Sequence, residues 1–443
     1  MRHDDINDHS FVTRARSRPA VAALATLAAT ALTAALAAAA LVLGGCGGTA
    51  AAGSSSSPSP SAPPRSAARI VITPVSGAKS ADPQKGITVR SRHGSLLRVR
   101  VTSSGEPVVG DRNDTWTVWH SRWPLNTSAR YTVTATAVDK DGLKVTVTST
   151  FHTLTPTHTF TAEIFEAYGQ SYGVGMPIMI RFSQPITNKR AVEQSLRLWS
   201  SRRIVGAWYW DGDSNLYFRP RNYWPAHTTV RFVGHLNGVA GAPGVYGTHT
   251  LKQTFEIGRS LIVVVDTAGH HLHVYLDRRL FGTWPVSTGK PGDETPNGTY
   301  LTIEKGNPVE MKGPDYDLMV PLSVRFTWSG AYLHAAAWSV GSQGFSNVSH
   351  GCVNMSPTNA QTYYDMAVPG DPVTVIGSPK AGAWGNGWTM WFLSWPEYLR
   401  GSALHEAVRV GPDGSRFVAP STVKPSKARS PLDRPQLGNA SAA

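Results

Sequence analysis

Two runs on either side of residue 140 constrain the fold most. Tyr131-Thr132-Val133-Thr134-Ala135-Thr136-Ala137 alternates with period two, and Lys144-Val145-Thr146-Val147-Thr148 does the same. Alternating β-branched residues segregate onto the two faces of a strand, whereas a helix would scatter them. Asp139-Lys140-Asp141-Gly142 between them supplies the residues of a hairpin turn. Arg69-Ile70-Val71-Ile72, Leu97-Arg98-Val99-Arg100-Val101 and Trp116-Thr117-Val118-Trp119 read as further strands. Strands this closely spaced, with no helical stretch between them, predict a small β-sandwich over residues 68–154.

A second β-domain is expected over residues 155–257. Its strands are Ile178-Met179-Ile180-Arg181-Phe182, Ile204 to Trp210, and Thr229-Val230-Arg231-Phe232-Val233, with a short helix from Arg190 to Leu198. Trp208, Trp210, Tyr223 and Trp224 read as core or inter-domain packing, with a sugar-binding aromatic surface as the alternative. Neither β-domain carries a titratable cluster suited to catalysis, so both read as scaffold. Residues 258–379 are again mainly β. Strands are expected at Leu261 to Val265, His271 to Tyr275, Leu280 to Val286 and Asp371 to Ile376, with a short helix from Asn359 to Met366. Residues 380–414 hold Trp384, Trp388, Trp391 and Trp395 and are expected to cap the preceding domain. Residues 415–443, rich in Pro, Ser, Lys and Arg, read as a disordered basic tail.

The N-terminal segment reads as an export signal. Arg2, Arg14, Arg16 and Arg18 precede an uncharged Ala/Leu-rich run from Ala20 to Leu43, long enough to enter a bilayer. The run ends at Leu43-Gly44-Gly45-Cys46, which resembles a bacterial lipoprotein cleavage site. The resemblance implies that residues 1–46 are a signal peptide ending at its lipidation site, Cys46. The mature chain would then sit outside the cytoplasm, on the outer face of the membrane or in the cell wall. An uncleaved membrane anchor is the alternative. Residues 47–67 are Gly, Ser and Pro rich, a spacer with nothing to bury. The formal net charge of +13 attracts an anionic partner. No zinc-finger, helix-turn-helix or RNA-binding signature accompanies it, which argues against nucleic acid and favours anionic lipid or wall polymer.

Only two cysteines occur, Cys46 and Cys352, in contexts too different for a disulfide. Cys352 stands in Ser349-His350-Gly351-Cys352-Val353-Asn354. A thiolate is a strong nucleophile, an adjacent imidazole can take its proton, and Gly permits a tight turn whose N–H groups suit an oxyanion. Two histidines compete for the base. His350 is two residues away, and His334, in Tyr332-Leu333-His334-Ala335, would approach from a neighbouring strand. Spacing alone does not choose. An inert buried Cys is the bland alternative, and a zinc site from His334, His350 and Cys352 lacks paired ligand spacing. No metal or cofactor is expected.

These residues resemble the catalytic domain of the L,D-transpeptidases, the YkuD-type fold. The motif is a His, about fifteen intervening residues, then Ser/Thr-His-Gly-Cys followed by an apolar residue and Asn or Arg. Further matches are Pro285 to Lys290, Thr295 to Tyr300, Trp338-Ser339-Val340-Gly341 and Met355-Ser356-Pro357. The layout is similar to multi-domain lipoprotein forms from high-GC Gram-positive bacteria, with two immunoglobulin-like domains and a Trp-containing C-terminal subdomain. Ser394 to Gly401 resembles that last piece.

The resemblance implies that Cys352 attacks the third-residue carbonyl of a peptidoglycan donor tetrapeptide, releases D-Ala and forms a thioester. An acceptor stem amine then resolves the thioester to a 3→3 cross-link. It implies His334 as general base, and His350 with the N–H groups of Gly351 and Cys352 as the oxyanion and orientation group. Tyr316, Met311, Ser349, Asn354 and Trp338 become substrate contacts. Two departures stand out: Ala335 replaces a common Ser after the base His, and the stretch from Met311 to Tyr316 is short, implying a trimmed lid. An L,D-carboxypeptidase and a non-catalytic wall-binding lipoprotein are the rival readings.

Overall fold

The computed structural model describes residues 64–313 and 315–419. The export segment and Cys46 lie outside the described residues. Among the described residues no helix is long and apolar enough to cross a membrane.

The protein is mainly β: two β-units are followed by the domain read from the sequence as catalytic. In the first β-unit, Arg130–Val138 and Lys144–His152 form the expected hairpin. Gly142 closes its turn at φ +79°, where a side chain would be strained. Ser95–Ser103 joins that sheet, and Arg69–Thr73, Thr88–Arg92 and Val118–Ser121 form the facing one. Inward Val89, Val133, Ala135 and Phe151 make a separate core. Trp116 is not in a strand: it adopts φ +55° in a turn, exposed, under the Arg112 guanidinium.

The second β-unit differs from expectation at two places. The helix is only Lys189–Gln194, and Leu196–Ser200 is a strand. Leu196 and Leu198 alternate inward, and burial on a sheet outweighs helix propensity there. The C-terminal segment is the larger correction. Rather than capping the catalytic domain alone, it completes the second β-unit. Ala407–Val410 pairs antiparallel with Ile204–Asp211, and Arg416–Val418, inside the stretch read as tail, pairs with Ala407–Val410.

Trp388 and Trp391 are buried in the same core as Trp208, Trp210 and Trp224, with Ile262, Leu301 and Ile303 of the catalytic domain. The aromatics therefore pack inward and offer no sugar-binding face. Glu193 fastens this joint by accepting hydrogen bonds from Trp210 Nε1, Ser402 Oγ and the Ala403 N–H. The catalytic domain is held against the second β-unit where Gly173 and Gly175 donate to Pro369 O and Gly370 O. A Cβ at Gly173 would collide with the Asp371 backbone, so only glycine allows this approach.

In the catalytic domain a five-stranded sheet runs Arg279–Pro285, His271–Leu276, Leu261–Asp266, Pro372–Ile376, Gly298–Leu301. A four-stranded sheet runs Glu304–Gly306, Ser323–Arg325, Tyr332–Ala335, Val353–Met355. The helix Pro357–Met366 packs on the second sheet and is capped by Ser356 Oγ, which accepts from the Asn359 N–H. A two-stranded hairpin, Val309–Gly313 with Tyr316–Val320, pairs with no other strand among the described residues.

Candidate active site

Strand alternation builds the site. Tyr332–Ala335 and Val353–Met355 pair in parallel, with Leu333 opposite Val353 and His334 opposite Asn354. Leu333, Ala335, Val353 and Met355 all belong to the catalytic core. Side chains on successive strand residues point to opposite faces. His334 and Asn354 therefore share the other face, and Cys352, two residues before Asn354, enters on that side. The sequence alternatives His334 and His350 thus separate in space: His334 lies in the strand whose start, at Tyr332, meets the Cys352 thiol, and His350 lies in the turn ahead of Cys352.

His334 is only 3% exposed. Its Nδ1 lies 2.9 Å from Ala335 O. A carbonyl oxygen only accepts, so Nδ1 carries the proton and Nε2 keeps the lone pair. The backbone thus does the orienting, and the Ala335 departure removes nothing this hydrogen bond needs. Trp338, 59% exposed, stacks on the imidazole with ring centroids 5.9 Å apart. Burial pushes His334 down to about 4, against a smaller upward pull from its hydrogen bond to Ala335. Burial likewise pushes the Cys352 thiol up to about 11, partly opposed by the Tyr332 N–H. The resting pair is thus a neutral thiol and a neutral imidazole. Among the described residues the thiol hydrogen-bonds Gly330 O at 3.7 Å rather than His334.

The turn before Cys352 is held from several sides. Gly351 adopts φ +118°, closed to most side chains. Thr295 Oγ1 donates to Gly351 O at 2.9 Å, and the Ser349 N–H donates to Thr288 O. Ser349 Oγ donates to Cys352 O at 2.6 Å and accepts from the Gly351 N–H at 3.1 Å. Ser349 is 7% exposed and shapes the turn through these bonds, one of which engages the Gly351 N–H. Asn354 is 3% exposed, and its amide donates to Ser339 Oγ at 3.0 Å.

His350 is exposed and lies in a charged setting. Its Nε2 lies 2.8 Å from Lys290 Nζ and 3.0 Å from Asp315 Oδ2, and its ring centroid lies 4.9 Å from that of Tyr316. Tyr316 and Met311 both sit on the unpartnered hairpin, Tyr316 near its tip with its ring beside His350. Burial, and then the charge of a Cys352 thiolate, push the Tyr316 phenol up. Lys290 and Asp315 were not singled out by sequence. They lie 60 and 35 positions from His350, and no local spacing signals such a meeting. Among the described residues no cluster of three or more His, Cys, Asp or Glu is arranged to hold a metal ion.

Comparison with known proteins agrees with this architecture. A family described as a bacterial Ig domain matches residues 78–240, and the L,D-transpeptidase catalytic domain matches residues 260–375. L,D-transpeptidase 5 of Mycobacterium tuberculosis is 34% identical over 354 residues, covering 77% of this chain and 78% of that protein. L,D-transpeptidase 1 of the same organism is 36% identical, over 49% of this chain and 84% of that protein. A solved L,D-transpeptidase structure in complex with imipenem is 35% identical, spans 50% of this chain and all of its own, and superposes with a TM-score of 0.42. The match to L,D-transpeptidase 5, over more than two thirds of both chains, shows that this chain belongs to the L,D-transpeptidase family.

Proposed function

We propose that the protein is a cysteine-dependent peptidoglycan L,D-transpeptidase with Cys352 as nucleophile and His334 as general base. One observation carries this reading: on the strand face that Cys352 enters lies an imidazole whose Nδ1–H is fixed on a backbone carbonyl. That leaves Nε2 as the only ring nitrogen able to take the thiol proton. Because the resting pair is neutral, proton transfer accompanies attack. Nε2 takes the Sγ proton as sulfur bonds to the carbonyl carbon of the third stem residue. The Cys352 N–H remains to receive the developing oxyanion. Collapse breaks the peptide bond, and His334 returns the proton to the departing D-Ala amine. An acceptor amine then attacks the thioester, gives its proton to His334 and frees the thiol.

Trp338, Met311 and Tyr316 are the substrate contacts this reading retains. It also places the enzyme outside the cytoplasm, tethered through lipid on Cys46 and acting on donor and acceptor stems. Intact mass after incubation with a carbapenem tests the nucleophile. One adduct is expected on the wild type and none on Cys352→Ala; an unmodified wild type would sink the proposal. Muropeptide product analysis separates cross-linking from the carboxypeptidase alternative, in which water replaces the acceptor amine.

A further inference from the structure

His350 Nε2 stands between a cation and an anion. Lys290 Nζ is 2.8 Å away on one side, and Asp315 Oδ2 is 3.0 Å away on the other. One nitrogen cannot serve both in a single state: it accepts from the ammonium with its lone pair, or donates a proton to the carboxylate. Lys290 is anchored to the nucleophile turn, since its N–H donates to Ser349 O at 2.9 Å. Its remaining partner is Asp293, at 3.5 Å. Asp315 comes from the tip of the hairpin that pairs with no other strand among the described residues. His350, then more weakly Lys290, hold the Asp315 carboxyl below its ordinary value, so the group is an anion.

We propose that Lys290 and His350 form a seat for a substrate carboxylate, and that Asp315 fills this seat in the free enzyme. The proposal rests on the acyl-transfer reading of Cys352 and extends it to a subsite. The side chains of Lys290, His350 and Asp315 are 38%, 35% and 60% exposed. Exposed ion pairs are weak because water screens them, so an incoming carboxylate can displace Asp315. The seat is two residues from Cys352. A carboxylate reaching it must lie close to the scissile bond, and neighbouring Cα atoms are ~3.8 Å apart. The terminal carboxylate of the released residue meets that requirement. Asp315 thereby stands in for substrate.

The test uses the whole enzyme and two tetrapeptide donors, one with a free terminal carboxylate and one with a terminal carboxamide, each read by thioester formation in intact mass. Lys290→Met is expected to raise KM for the carboxylate donor about tenfold, as expected for a lost charge-assisted hydrogen bond. The carboxamide donor should be nearly unaffected, and Lys290→Arg should restore the preference. Asp315→Asn is expected to lower KM for the carboxylate donor a few-fold with kcat unchanged. Equal effects of Lys290→Met on both donors, or no effect on either, would overturn the seat. So would an unchanged KM in Asp315→Asn. A wild type acylated by neither donor fails at the acyl-transfer reading and takes the seat with it, a result distinguishable from acylation without carboxylate preference.

Discussion

The two histidines that compete for the role of base sit in opposite surroundings. His334 lies in a strand, almost fully buried, with a backbone carbonyl and an aromatic ring as neighbours. His350 lies in a turn, exposed, with a lysine, an aspartate and a tyrosine around it. Burial without a counter-charge keeps an imidazole neutral and its lone pair available, which suits a base. Charged, solvated neighbours suit binding of a charged ligand and fast exchange of partners. Histidines sixteen positions apart in sequence are thereby fitted for different tasks by environment alone.

The comparison can be broken most sharply at His334. His334→Gln keeps a polar side chain of similar reach but no base, and acylation should fall by about 10²–10⁴-fold. A loss equal to that of His350→Gln would erase the distinction. A pH–rate profile comes next. With His334 near 4 and Cys352 near 11 in the free enzyme, kcat/KM for acylation should be flat between about pH 6 and 8. A limb near the ordinary histidine value would show that His334 is not held neutral by burial.

Stability carries the same signature at smaller scale. The unfolded chain takes up a proton on His334 near 6.5, and the folded chain does so only near 4. More protons are bound by the unfolded state in that window, so stability falls as pH drops from about 6.5 to 4, by on the order of 3 kcal/mol. The difference between wild type and His334→Gln in denaturant titrations isolates this slope, and parallel curves would contradict it. The smallest expected effect is at Ala335. Since the orienting group is its backbone carbonyl, Ala335→Ser should leave acylation within about twofold, for the retained hydrogen bond contributes only about 0.5–1.5 kcal/mol in either variant. A large gain would mean that the hydroxyl matters after all.

Much of the fold was legible because strand alternation is local. Tyr131 to Ala137, Ile178 to Phe182 and Leu261 to Val265 all fall in strands, since their β-branched and aromatic residues meet no competing local preference. Leu196 to Leu198 reads as helix in sequence but is strand, because a short amphipathic stretch fits either period until its burial partner is known. The Ser349-His350-Gly351-Cys352 motif was legible for the same reason, as its residues are neighbours in the chain. The internal hydrogen bonds of Asn354 and Ser349 were not legible, because polar type does not tell what partner a side chain meets. Their engagement depends on Ser339 and on the bend of the turn itself.

Sequence alone determined the β character, the order of the parts, the thiol in a glycine turn and the two candidate bases, because each is written in neighbouring residues. Only the tertiary structure gave the two histidines their different surroundings, through a parallel strand pair that sets His334 opposite Asn354. It likewise decided that the C-terminal strand Ala407–Val410 completes the second β-unit, some two hundred residues from its partner Ile204–Asp211. It also brought Lys290 and Asp315 to one nitrogen of His350. Such meetings follow from how buried faces pack over long separations, and no local spacing encodes them.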